Sequence, residues 1–583
     1  MTATQTATSA PAWRFAVIGI VTALAVGIGV VVGALILDSR TSAIGSGATY
    51  VPATAPLYVE VRLQPSEGQD AALREFLDRF PPIEGVDLDE PLYGQLTAML
   101  DDALAESGTT LSWSADVEPW FDGRVGFALF EFPDPTAMPV EPDAEILGTS
   151  SGVVLIGVSD RATAQSSIDR ILAESEAPMT FSPQEHGGVT IQVDDESGMA
   201  YALTDDQLLL APVAEDIVAA LDAHTAGDTA LSEAGSISAF TEALPDEWLV
   251  FGIYDFTDAL ASALEGSAGA SPGAEAMRDL MEGQPLRGAM ALTVEGDRVS
   301  VPVVSDPPGG SFAVTNADRG LADEVPGDAL YYAEGGNVGD ALSGLIGTLK
   351  ESAAAMPDGA AQLDMIEAAL GGDLEEQVAW IGDAATAVGY DGEQPWGGVV
   401  IAPTDMEQAR RTIDRLSSFA GLATLDPSIG ITVEEREVDG VDVTTLTWQD
   451  PSAQTEPPAD EMPFAPTALV AEWAVTDDRV LIGVGDRFVE RVIGLDRGDS
   501  LAQEPRYADA VADLGGASNA GVTWVDLRGV RVALEGVIGE FDPASLESYE
   551  ADILPWLEPL DRLVTIARVD GDVMRSESVL LVE

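Results

Sequence analysis

The strongest hydrophobic pattern along the chain is also its first. Residues 15–37, FAVIGIVTALAVGIGVVVGALIL, contain no charge. As a helix these 23 residues extend about 34 Å, enough to cross a hydrocarbon core of about 30 Å. The run predicts an uncleaved transmembrane helix, because a secretory apolar region is shorter, about 7–15 residues, and ends at a small-x-small cleavage site that does not follow closely here. Arg14 before the run, against Asp38 and Arg40 after it, leans towards a short cytoplasmic tail at 1–14. Beyond the run the apolar positions are shorter and periodic. VVLIGV (153–158) reads as a strand followed by a helix that starts near Asp160. Met406, Ala409, Ile413, Leu416 and Ala420 recur three and four apart, which places them on one helical face. GVTIQVD (188–194) and GVDVTTLTW (440–448) alternate as strands do.

Several phrases then occur twice, in one order. TDDQLLLAP (204–212) answers TDDRVLIGV (476–484), and VPATAPLYVEV (51–61) answers VPGDALYYAEG (325–335). VEPWFDGRVGFAL (117–129) answers QVAWIGDAATAVGY (377–390). A kept order at a period of about 270 residues predicts a tandem duplication, well beyond the 20–50 residues of a solenoid repeat. Strand–helix–strand–strand within each copy predicts an α+β fold: an N-terminal transmembrane helix followed by two tandem homologous domains with largely antiparallel sheets and packed helices. The predicted organisation is a tail at 1–14, the span at 15–37, a linker at 38–48, a first repeat domain at 49–305, a turn-rich linker at 306–324 and a second repeat domain at 325–583. The copies differ at 131–152 and 449–468, acidic and Pro-rich stretches that read as exposed connections and as contact surfaces, since loop closure tolerates length and variable loops carry recognition.

Charge changes the picture more than composition does. One hundred Asp and Glu face 27 Lys and Arg, a formal −73, and Lys350 is the only lysine. Such a surface repels nucleic acid and anionic headgroups and favours cations or basic partners. The absence of Cys excludes disulfides and thiolate chemistry. Only His186 and His224 could serve a histidine-dependent site.

The candidate chemistry is thin. Gly148-Thr149-Ser150-Ser151-Gly152 matches G-x-S-x-G, but a nucleophile elbow needs a strand before the serine, and here the strand follows. Asp205–Asp206 and Asp477–Asp478 are paired carboxylates in turns; weak divalent-cation binding is their residual use, without the spacing of a calcium loop. Arg497-Gly498-Asp499 reads as a Gly-Asp turn. Trp120 and Trp380 read as core anchors. Gly29 and Gly33 form a G-x-x-x-G within the span that could support a dimer. No catalytic, cofactor-binding or metal residue is assigned, and no cofactor is expected.

The apolar N-terminal run, VPATAPLYVEVRL (51–63) and ADVEPWFDGRVGFAL (115–129) resemble the uncharacterised bacterial family catalogued as domain of unknown function 3352. The resemblance implies a membrane-anchored, envelope-associated protein and offers no catalytic residues to carry over. The expected function is a single-pass extracytoplasmic protein at the cell membrane with a non-enzymatic binding or scaffolding role, partnered by an envelope protein or ligand. The alternative is an extracytoplasmic hydrolase or ligand-processing enzyme.

Overall fold

The structure is a computed structural model. It describes residues 46–583 apart from 65, 84, 107–110, 132–150, 175–179, 259–283, 285, 355–358, 393, 426–429, 450–467, 486, 517 and 542. Two compact units divide the chain: Met1–Ala259 with Leu286–Ser305, and Leu260–Pro285 with Asp306–Glu583.

The first unit contains strands β1 (Leu57–Arg62), β2 (Phe121–Leu129), β3 (Gly152–Val158), β4 (Phe181–His186), β5 (Val189–Asp194), β6 (Ala200–Leu203), β7 (Gln207–Ala211), β8 (Val250–Asp255), β9 (Arg287–Glu295) and β10 (Arg298–Ser305). They pair antiparallel in the order β4-β5-β6-β7-β3-β2-β1-β8-β9-β10. The second unit contains β11 (Ala317–Asp318), β12 (Ala329–Gly335), β13 (Ile381–Tyr390), β14 (Pro395–Pro403), β15 (Ile431–Val438), β16 (Val441–Gln449), β17 (Ala468–Val475), β18 (Val480–Val484), β19 (Ser518–Asn519), β20 (Gly521–Val525), β21 (Leu560–Asp570) and β22 (Val573–Val582). Here β11 pairs with β19, and the other ten run β15-β16-β17-β18-β14-β13-β12-β20-β21-β22, again antiparallel. Position for position, this is the strand order of the first unit.

Local chemistry explains the hairpins. Gly187 and Gly188 join β4 to β5 with φ of 57° and 86°, and Asp439 and Gly440 join β15 to β16 with φ of 50° and 85°. Positive φ at both central residues is the type I′ turn, whose twist matches that of the strands it joins. The outer strands are guarded against further pairing: β4 carries Pro183, and β15 carries Glu434, Glu435 and Glu437.

Helices bury their periodic faces on the sheets. In the first unit Ala164 and Ile168 of Arg161–Glu174 pack with Val61, Trp120, Val125 and Ile156. In the second, Ala409, Ile413 and Ala420 of Met406–Ala423 pack with Trp380, Ile401 and Trp473, with Leu416 beside them. The opposite face of that sheet buries Tyr332, Ala387, Trp396 and Trp524. Asp405 caps its helix by accepting the Gln408 N–H, and Asp160 accepts those of Ala162 and Thr163.

The fold class with an N-terminal transmembrane helix is corrected. No helix among the described residues is long and apolar enough to cross a membrane. The physical reason is charge: the 18-residue Met406–Ala423 carries Glu407, Arg410, Arg411, Asp414 and Arg415, each costly in hydrocarbon. Residues 15–37, with Gly29 and Gly33, lie outside the described residues, as do most of 131–152 and 449–468.

Candidate functional site

The repeated TDD turn is closed by its threonine. The Thr204 N–H donates to the Gln207 carbonyl at 2.9 Å, and the Gln207 N–H donates to Thr204 Oγ1 at 3.0 Å. Thr476 and Arg479 make the same two bonds at the same two distances. The aspartates divide between solvent and structure. Asp205 is exposed and pairs with Arg161 at 3.0 Å, whereas Asp206 accepts the Tyr50 hydroxyl at 2.5 Å. His224, near the end of helix Ala214–Ala226, stacks on the Tyr50 ring at 4.0 Å and places Nδ1 at 3.1 Å from Thr49 Oγ1. Burial, together with the Asp206 hydrogen bond, pushes the Tyr50 hydroxyl well above the ordinary tyrosine range. This cluster of Tyr50, Asp206 and His224 was hidden in sequence because Tyr50 lies more than 150 residues before its partners.

At the matching place in the second unit, just before Val325-Pro326, stands Glu324, which pairs with Arg479 at 2.7 Å. Two unlike polar pairs thus fasten one joint, between the lead-in to the first strand and the TDD turn. His186 is likewise engaged, with Nε2 at 2.6 Å from Asp222 Oδ1. Asp478 pairs with Arg479 at 3.1 Å. No group of three or more metal-ligating side chains occurs among the described residues. Arg497-Gly498-Asp499 is a short turn whose Gly498 N–H is held by Asp496. Of the G-x-S-x-G stretch, Ser151 and Gly152 are described, and both donate to Asp216, at 2.7 and 3.0 Å. Trp120 and Trp380 are 2% and 4% exposed, and each indole N–H donates to a backbone carbonyl, of Asp116 and Gln377 respectively, at 2.6 Å.

A buried pair recurs in the first strand of each sheet. Tyr58 donates to Glu60, and Tyr332 donates to Glu334 at 2.5 Å. Residues two apart on a strand share a face, so both side chains enter the interior together, and Gly47 leaves room above the Tyr58 hydroxyl. The signal was legible as Tyr-x-Glu in both copies of the entry phrase. Desolvation raises both carboxyls above 4.5, against the hydroxyl bonds that lower them. A raised folded-state value means stability that is complete below the unfolded value and is lost as pH rises through the folded one. Glu60→Gln with Glu334→Gln is therefore expected to flatten the fall in melting temperature as pH rises above 4.5. Repulsion among the remaining surface acids is common to both proteins, so an unchanged pH profile would refute the buried-carboxyl account.

The second unit also leaves a row of apolar side chains in water. Tyr331 lies opposite Val388, Val388 opposite Gly397, Gly397 opposite Val484 and Val484 opposite Ala471. Two residues along, Leu469 lies opposite Trp448. Directly opposed residues point to one face, here the face on which Met406–Ala423 packs. The helix does not reach the row: Tyr331 is 37% exposed, Val388 41%, Val484 67%, Leu469 53% and Trp448 37%. Phe419, Leu422 and Leu425, at and just beyond the helix end, are exposed as well. In the first unit the corresponding Leu57 and Leu129 are half-buried. Among the described residues Met99 and Val213 are the only exposed large hydrophobics there, against sixteen in the second unit, so the second unit is the one with surface to offer.

A family model described as Protein of unknown function (DUF3352) matches residues 16–538. No curated protein and no solved structure matches.

Proposed function

We propose a binding or scaffolding role, without catalysis, for this chain, which belongs to the family of unknown function DUF3352. The contact surface is the apolar row of the second unit, and the exposure of Val484, Leu469, Trp448, Val388 and Tyr331 is the observation that carries the proposal. Taking an exposed Val or Leu side chain to full burial is worth about 1.5–3 kcal/mol, and each partly exposed member of the row gains a share of that. Contiguous apolar surface of this kind marks contact sites in soluble proteins. The polar groups that could have served chemistry are spent on structure: Asp206 and His224 on Tyr50, His186 on Asp222, Asp216 on the start of β3.

The test is affinity capture with the full chain from its native cells, comparing the wild type with Val484→Asp/Leu469→Asp. A partner that is recovered by the wild type and lost with the double variant is the expected result. Equal recovery by both proteins, or turnover of a substrate by the purified chain, would overturn the proposal.

A further inference from the structure

Resting on the proposed binding role, we infer that the occupant of the apolar row is a cationic amphipathic helix. Three properties of the row select it. The first is length. Tyr331 to Trp448 crosses six strands, β12, β13, β14, β18, β17 and β16, or about 24 Å at about 4.8 Å between neighbours. A helix of about 16 residues, at 1.5 Å each, spans that distance. The second is openness. A free acyl chain needs an enclosing pocket that takes most of its surface, whereas this row is a sheet floor whose side chains are 37–67% exposed. An amphipathic helix buries one stripe and keeps the other in water, which suits an open floor.

The third property is charge. The row itself is uncharged, and it lies in a chain with 100 acids and 27 basic residues. Helices Val338–Ala354, Gly359–Leu370 and Leu374–Val378 of the same unit carry Asp340, Glu351, Asp364, Glu367, Glu375 and Glu376 against Lys350 alone. Lys350 is itself held by Glu367, Asp373 and Glu375. Of the arginines on Met406–Ala423, Arg411 pairs with Glu407, Arg410 with the Thr476 carbonyl and Arg415 with Gln377. A polar face of Lys and Arg therefore meets attraction, and one of Asp and Glu meets repulsion. The same sign disfavours a second copy of this chain, which would bring another −73 to the contact.

The experiment measures binding of three labelled 18-residue peptides to the full chain by fluorescence anisotropy. They are a Leu/Lys amphipathic helix, its Leu/Glu counterpart, and an Ala/Lys helix with the charge but not the apolar stripe. The Leu/Lys peptide is expected to bind at least tenfold more tightly than either of the others. Val484→Asp and Leu469→Asp should each weaken it at least tenfold. Both positions are exposed, so melting temperatures should stay at the wild-type value. The added Asp separates the mechanisms by sign, because attraction to acidity alone would strengthen, not weaken, with each variant. Leu/Lys binding that is unchanged or tighter in the variants, or matched by Leu/Glu, overturns the inference. If the variants abolish capture of the native partner while no Leu/Lys preference appears, the binding role stands and the cationic-helix identity fails.

Discussion

Trp380→Ala is expected to destabilise the second unit by about 3–5 kcal/mol, the cost of truncating a buried aromatic to alanine. The ring is 4% exposed and packs with Ile401, Ala409, Ile413, Trp473 and Val480. Its loss opens a cavity where strand β13 meets the helix laid across the sheet. The indole N–H also satisfies the Gln377 carbonyl, and the Trp380 carbonyl accepts the Thr404 N–H at 2.8 Å just before that helix begins. Trp120 holds the same joint in the first unit, with its carbonyl accepting the Ser159 N–H at 2.7 Å. Trp380→Phe keeps most of the packing but gives up the N–H and part of the bicyclic ring, so a smaller cost of about 1–3 kcal/mol is expected. Two units need not unfold together, and hydrogen exchange resolved by peptide is the suitable measurement. Protection should fall in 381–403 and 406–423 after Trp380→Ala while first-unit peptides keep theirs. A loss below about 1 kcal/mol would show that the ring does not anchor the core.

Both tryptophans were legible in sequence because their phrases recur at matched places, and so was the helical face of Ala409, Ile413 and Ala420. Strand alternation and the turn-forming Gly and Asp residues made the hairpins readable too. Three features were not readable, each for a physical reason. The order of strands across a sheet depends on pairings between distant segments, such as β1 with β8 and β3 with β7, which local periodicity does not encode. The TDD turn was attributed to its aspartates, yet its lock is the threonine side chain; a hydroxyl that bonds back to the backbone leaves no periodic trace. The apolar row was invisible because Val484, Leu469 and Trp448 sit in alternating strands that predict a buried face. Whether a helix covers the end of that face is a matter of where the helix stops.

The buried carboxylates disclose how so acidic a chain closes its core with few cations, and Glu472 is the sharpest case. It lies on β17 with no exposed surface. One oxygen accepts the Val489 N–H at 2.7 Å, and the other accepts Arg436 at 3.0 Å. Val489 stands in the first turn of Phe488–Ile493, where helical N–H groups have no carbonyl of their own helix to meet. The negative charge is also favoured at that end. Gly483 keeps the path open, for a Cβ there would stand 2.9 Å from the Glu472 side chain. Arg436 is shared with Glu490 at 2.7 Å, so it remains engaged when Glu472 is removed, but the Val489 N–H loses this acceptor in the interior. Glu472→Ala is therefore expected to cost about 2–4 kcal/mol, from the stranded buried N–H and the cavity left by the side chain. Glu472→Gln retains an acceptor of the same reach and should cost about 1–2 kcal/mol, the loss of charge assistance. Denaturant midpoints of the second-unit transition, compared across wild type, Gln and Ala, check the ordering. If Ala and Gln were equally costly, the charge on Arg436 rather than the helix N–H would be what Glu472 is there to meet.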